Sequence, residues 1–205
     1  MQEIKETTLY KQSLKDKILE TAIRAFAAQG VRAVKMDDVA SMLGISKRTI
    51  YEIYPDKESL LYQGIVKYDG LRKEEIRNYA QHHNVMDVIL HSYQQKVEET
   101  SKINIKFYHD IQKYPRIVRY MEEQHRQSRE HLILFFERGV QEGYFRREVD
   151  YVLIASLFDA IEQYVGQNLL IKGYSFRELF SNLLLVPLRG FCTEKGLKVL
   201  EAANF

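Results

Sequence analysis

Two short helical patterns sit three residues apart between Met36 and Tyr54, and this spacing constrains the chain more than any other feature. Met36, Val39, Ala40 and Leu43 fall at i, i+3, i+4 and i+7, one apolar face of a two-turn helix. Asp37 and Asp38 occupy its first turn, where the helix dipole favours negative charge. Gly44-Ile45-Ser46 follows. Glycine accepts a sharp left-handed turn without a side-chain clash. Ile45 can plug the angle between the helices, and Ser46 can cap the next one, Lys47 to about Ile53, before Pro55. So short a helix is unstable alone in water. It needs neighbours, and Ile50 and Tyr54 supply its inward face. The length and chemistry are those of a helix-turn-helix.

The outward face of the second helix carries Lys47, Arg48, Thr49, Tyr51 and Glu52, and no acidic residue lies between Asp38 and Glu52. Lys47 and Arg48 fall in the N-terminal turn, where the dipole disfavours cations. An external anion explains that placement, with DNA phosphate and guanine O6/N7 the obvious candidates. The alternative is a solvated helix whose Lys and Arg serve solubility. A net charge of +2 does not decide between them.

The rest of the chain reads as helix. Glycine and proline number only 10 and 3 among 205 residues, too few for a turn-rich sheet protein. The pattern predicts a first helix over 14–29, with Ser13 as N-cap and Gly30 as stop. A fourth begins at Lys57 behind the cap Asp56 and continues to about Tyr79. Further helices are predicted over 84–102, 103–113, 115–142, 150–172 and 175–194, with a kink or restart at Pro187 and a frayed turn or short helix after Gly196. Residues 1–13 are polar and do not resemble a signal peptide. No run approaches the ~18 apolar residues of a membrane span. A cytoplasmic location without membrane association is expected.

The stretch Met36 to Leu61, together with Phe26-Ala-Ala-Gln-Gly30, resembles the N-terminal signature of TetR-family regulators, closely over residues 14–65. The resemblance implies an all-α fold. A three-helix DNA-binding domain over 1–60 would precede a helical ligand-sensing and dimerisation domain over 61–205. It implies a homodimer on a palindromic operator, more often a repressor than an activator, released by a small-molecule effector. Ser46, Lys47, Thr49 and Tyr51 stand where the family contacts phosphates and bases, and Lys57 where it holds a phosphate. Tyr54 stands at a core position. Two residues depart from the pattern. Lys35 replaces the usual Thr or Ser cap of the second helix, so the cap is lost or Lys35 itself grips phosphate. Arg48 replaces a small residue, and a bidentate arginine there would favour a G·C pair in the operator.

Beyond residue 65 the resemblance is architectural only. Tyr151 to Phe158 is apolar all round, so both faces of that helix need cover. With the last helix it suggests a four-helix dimer bundle involving Leu157, Phe180, Leu183, Leu184 and Leu188, the alternative being ordinary monomeric core. Tyr93, Phe107, Tyr108, Tyr120, Phe135, Phe158 and Tyr164 can line an effector cavity or be plain core. No charge dominates the set, which favours an apolar or amphipathic ligand.

Cys192 is the only cysteine, a candidate redox sensor or simply a small apolar residue. His82 and His83 point to different faces, and His125 and His131, six apart, do not share one. No metal or cofactor is expected. No phosphate-cradling glycine loop or Gly-x-Ser-x-Gly elbow occurs, so the chain is not expected to be an enzyme. A helical protein-interaction adaptor remains the other alternative.

Overall fold

The computed structural model describes residues 2–203, with the side chains of residues 11–203. Its elements are α1 (Gln2–Gln29), α2 (Met36–Leu43), α3 (Lys47–Ile53), α4 (Lys57–His82), α5 (Val85–Ser101), α6 (Ile105–Ile111), α7 (Pro115–Gln141), α8 (Tyr151–Gln167), α9 (Phe176–Leu179), α10 (Leu185–Phe191) and α11 (Glu194–Ala202). The fold is all-α, with an N-terminal helix-turn-helix domain followed by a helical domain.

The predicted elements are present, and five boundaries differ for physical reasons. α1 begins at Gln2, so Ser13 is helix interior and not the expected N-cap. No glycine or proline interrupts residues 2–13, and an interior serine costs only a few tenths of a kcal/mol against alanine, or about 0.5. α6 is shorter than 103–113 because Asn104 caps it, accepting the Lys106 N–H at 2.9 Å. α8 stops at Gln167 instead of about Lys172: Leu169 turns left-handed at φ 49° and a 3₁₀ turn follows over Leu170–Lys172. The helix predicted to reach residue 194 ends at Phe191. Arg146 N–H donates to Phe191 O and Thr193 N–H to Tyr144 O, both at 2.9 Å, which pulls the chain out of helix. Thr193 then caps α11, accepting the Gly196 N–H, so the tail forms a nine-residue helix. The expected disturbance at Pro187 is a wide π-turn over Phe180–Leu184, just before the residue that lacks an N–H for the Leu183 carbonyl.

The chain divides into two compact units. The first comprises residues up to Arg72 with Lys102–Val118, so α6 packs with the helix-turn-helix; the second comprises Lys73–Ser101 with the residues from Arg119 on. Ile18, Ala22 and Phe26 of α1 meet Val39, Ala40, Ile50, Tyr54, Leu60, Leu61, Ile111 and Ile117 in the core of the first unit. Tyr54 is fully buried, as its sequence position implies, and burial pushes its phenol up to about 12. α6 is tied to the end of α1 by Asn104 N–H on Ala27 O at 2.8 Å, and the buried Asp110 carboxylate accepts the Arg32 N–H at 2.8 Å.

The second unit has an aromatic centre, in which Phe136 packs on Phe145, Tyr151, Phe158 and Phe191 at centroid distances of 5.3–6.0 Å. Arg138 caps the end of α4, donating to Ala80 O at 2.7 Å and to His83 O. Its partner Glu142 accepts the Val85 N–H at the start of α5.

His125 and Glu162 join α7 to α8 at 3.1 Å. The hydrogen bond to Glu162 raises the histidine pKa above its ordinary 6.5, against the opposing effect of burial; Asp159 adds to the rise and Lys73 opposes it. The folded state therefore holds this proton more tightly than the unfolded chain. The pair's stabilisation is complete below the unfolded-state pKa near 6.5 and is lost as pH rises through the higher folded value. Between pH 6 and pH 8 the urea midpoint of the wild type should fall by more than that of His125→Gln. Parallel pH profiles would remove the linkage.

Candidate nucleic-acid interface

Local chemistry builds the reading helix. Gly44 adopts the left-handed conformation at φ 64°, and Ile45 N–H returns to Ala40 O at 3.0 Å. Ser46 caps α3, its Oγ accepting the Thr49 N–H at 3.1 Å and lying 2.8 Å from the Thr49 hydroxyl. Ile45 packs against the core of the first unit, beneath which Ile50 and Tyr54 are fully buried. With that face committed inward, Lys47, Arg48, Tyr51 and Glu52 stand outward, and Tyr51 is 48% exposed. Thr49 is half-buried against the cap.

Lys35 is exposed and occupies the N-cap position of α2. An ammonium has no lone pair to accept a backbone N–H. The end of the helix is instead secured from the other side: the Asp38 carboxylate accepts Lys35's own N–H at 2.7 Å. Lys57 is placed deeper than a bare phosphate contact requires. Its Nζ donates to Val31 O at 2.9 Å and Val34 O at 3.0 Å, clamping the segment that leads into α2, and burial lowers its pKa. The return of these carbonyls to Lys57 has no signature in the sequence.

Both cations at the start of α3 have carboxylate partners. Lys47 pairs with Asp37 on α2, and Arg48 Nε donates to Glu52 Oε1 at 2.7 Å along the same helix. All four side chains stay more than a third exposed, so these pairs hold side chains in place more than they stabilise the fold.

The seven candidate effector residues do not converge. Phe107 and Tyr108 pack on the core of the first unit. Tyr93, Phe135 and Phe158 belong to the second core, Tyr120 is half-buried on α7, and Tyr164 is 60% exposed. An apolar depression of about 370 Å³ lies elsewhere in the second unit, lined by Leu90, Lys198, Val199, Ala202 and Ala203.

The five candidate interface residues also separate. Phe180 and Leu188 are buried in the core of their own chain, Leu183 and Leu184 are half-buried, and Leu157 is 44% exposed. The outward stripe of α8 includes Leu153 at 67% exposure, and α10 adds Val186 at 60%; neither was among the candidates. A helical wheel centred on Leu157 would have found Leu153, one turn away. Cys192 is fully buried, and burial pushes its thiol up to about 11, so the thiolate needed for redox chemistry is scarce in this conformation.

A capped two-turn helix held outward by a glycine turn on the core of the first unit defines a helix-turn-helix DNA-binding protein. Residues 18–63 match the family model described as bacterial regulatory proteins, tetR family. A 64-residue stretch is 36% identical to the uncharacterized HTH-type transcriptional regulator YerO of Bacillus subtilis (strain 168); it covers 31% of this chain and only 22% of that protein. Over 151 residues the chain is 26% identical to the HTH-type transcriptional repressor KstR2 of Mycobacterium tuberculosis, covering 69% of this chain and 74% of that protein. A solved transcriptional regulator from Saccharomonospora viridis, in complex with choline, superposes with a TM-score of 0.70 at 18% identity, covering 89% of this chain and all of that one. A TetR-family regulator from Agrobacterium tumefaciens gives 0.68 at 16% identity, covering 89% of this chain and 100% of that one. The likeness to bacterial regulatory proteins of the tetR family is thus carried by residues 18–63, and over the rest of the chain the likeness to solved regulators is one of fold. Among the described residues, no helix is long and apolar enough to cross a membrane.

Proposed function

We propose that the chain is a cytoplasmic repressor that binds a palindromic operator as a homodimer and leaves it when a small molecule binds. The observation that carries the DNA reading is the outward face of α3, where Lys47, Arg48 and Tyr51 project from a helix whose other face is locked into the core. In this reading Ser46, Lys47, Thr49 and Tyr51 meet phosphates and base edges, Lys35 adds a cation at the start of α2, and Arg48 reads a guanine. Lys57 supports the same surface by holding Val31 and Val34. Dimerisation is supported by the exposed apolar residues Leu153, Leu157 and Val186, which a second copy would cover. Repression is supported by the described role of the Mycobacterium tuberculosis relative, and small-molecule control by the choline-bound structural neighbour. An apolar or amphipathic effector suits the depression of the second unit, whose lining is apolar apart from Lys198.

The test is a mobility shift and footprint on duplexes selected from a randomised pool. The selected site should be a palindrome with half-sites about one DNA turn, roughly 34–36 Å, or somewhat more apart. Tyr51→Ala should weaken specific and random duplexes alike, since phosphates carry no sequence. Arg48→Ala should relax preference at one base pair, by about 1–3 kcal/mol. Equal loss on all sequences would remove the base-reading role of Arg48. A protein-interaction adaptor would shift no duplex at all.

A further inference from the structure

We infer that Glu52 is a specificity-determining residue: it fixes Arg48 by its Nε so that the two terminal nitrogens are presented as a fork to a guanine. The inference rests on the proposed DNA-binding role of α3. Helix stability does not explain the pair. Arg48 lies in the first turn of α3 and Glu52 in the last, so both charges oppose the helix dipole. The order, cation before carboxylate, is also the weaker of the two i,i+4 arrangements. DNA attraction does not explain Glu52 either, because a carboxylate on the face that meets a polyanion is repelled by it. The carboxylate is nevertheless there, 60% exposed, and its Oε1 accepts from Nε at 2.7 Å.

Engaging Nε leaves Nη1 and Nη2, the end of the guanidinium that can bond guanine O6 and N7 together. A free arginine has several rotamers and pays their entropy on binding, whereas one already held loses less. In water the exposed pair is weak, but it strengthens as the approaching duplex displaces solvent and lowers the local dielectric. Lys47 contrasts with this arrangement. Its partner Asp37 lies on the preceding helix, and a single ammonium has no planar fork to orient.

The test compares wild type, Glu52→Ala, Glu52→Gln and Arg48→Ala on a pool-selected operator, its single-base variants and a random duplex, with thermal melts to confirm folding. Glu52→Ala should lower discrimination about tenfold at the base pair where Arg48→Ala loses it. Glu52→Gln, which keeps an acceptor, should lose less. Affinity of Glu52→Ala for the random duplex should hold or rise, because a negative charge is gone. A preference altered only at a different base pair would mean that Glu52 reads a base itself and would overturn the inference. So would an equal change on every duplex. If Arg48→Ala leaves every preference intact, both this inference and the base-reading role of Arg48 fall; if Arg48→Ala acts and Glu52→Ala does not, only the inference falls.

Discussion

Leu157→Glu should yield a folded monomer that binds operator at least ~100-fold more weakly than the wild type. Leu157 is 44% exposed in the single chain, so a glutamate there meets water and the protomer should fold normally. In the proposed dimer the same position is covered. An unpaired carboxylate would then be buried at a cost of several kcal/mol, and a twofold interface imposes that cost twice. Losing the second reading helix removes the linkage between half-sites, worth about 10²–10⁴ in apparent affinity. Sedimentation equilibrium and a mobility shift measure the two effects separately. A variant that stays dimeric and binds operator normally would place the interface away from α8. The same substitution at Leu188 would be uninformative, since that side chain belongs to the protomer's own core.

The largest loss of stability is expected for Gly139→Val. A Cβ at this position of α7 would sit 2.0 and 2.2 Å from two ring carbons of Phe145, far inside contact distance. The ring has nowhere to retreat. Phe145 is 1% exposed, packs on Phe191 at 5.2 Å, and has its own N–H bonded to the Gly139 carbonyl at 3.1 Å. Valine gains only a few tenths of a kcal/mol in helix propensity over glycine, about 0.4. Overpacking a closed core costs about 1–3 kcal/mol and more where neighbours are fixed. A net loss of about 3 kcal/mol would lower Tm by about 6–12 °C in a chain of this size. An unchanged or raised Tm would mean that the Phe145 environment yields more readily than its contacts imply.

What was legible in the sequence was local. The α2–turn–α3 unit is specified within some twenty residues by an apolar repeat, a glycine and a serine cap, and each acts on its immediate neighbours. Asn84, Asp150 and Ser175 likewise announce the helices they cap. What was not legible depends on distant segments. Asp110 reaches the Arg32 N–H across 78 positions, and Lys57 clamps carbonyls 26 and 23 residues earlier. Aromatic residues look alike in a sequence whether they line a site or fill a core, and only packing sends Phe107 to one unit and Phe158 to the other. The same ambiguity joined Leu188, which faces inward, to Leu157, which faces solvent.

The discontinuity of the first unit has a consequence for how the protein is made. Its helix-turn-helix is encoded by residue 54, yet the core that supports it includes Ile111 and Ile117 of α6 and α7. A chain emerging from the ribosome can wind α1 to α3 early but cannot close that core until the segment ending at Val118 has appeared. At about 5–20 residues per second, the wait after residue 54 lasts several seconds. Throughout it the apolar faces of α1 and α4 lack their last partners and are open to chaperones and to other nascent chains. Synthesis rate across residues 55–118 should therefore govern the yield of competent protein more strongly than synthesis rate over the final eighty residues.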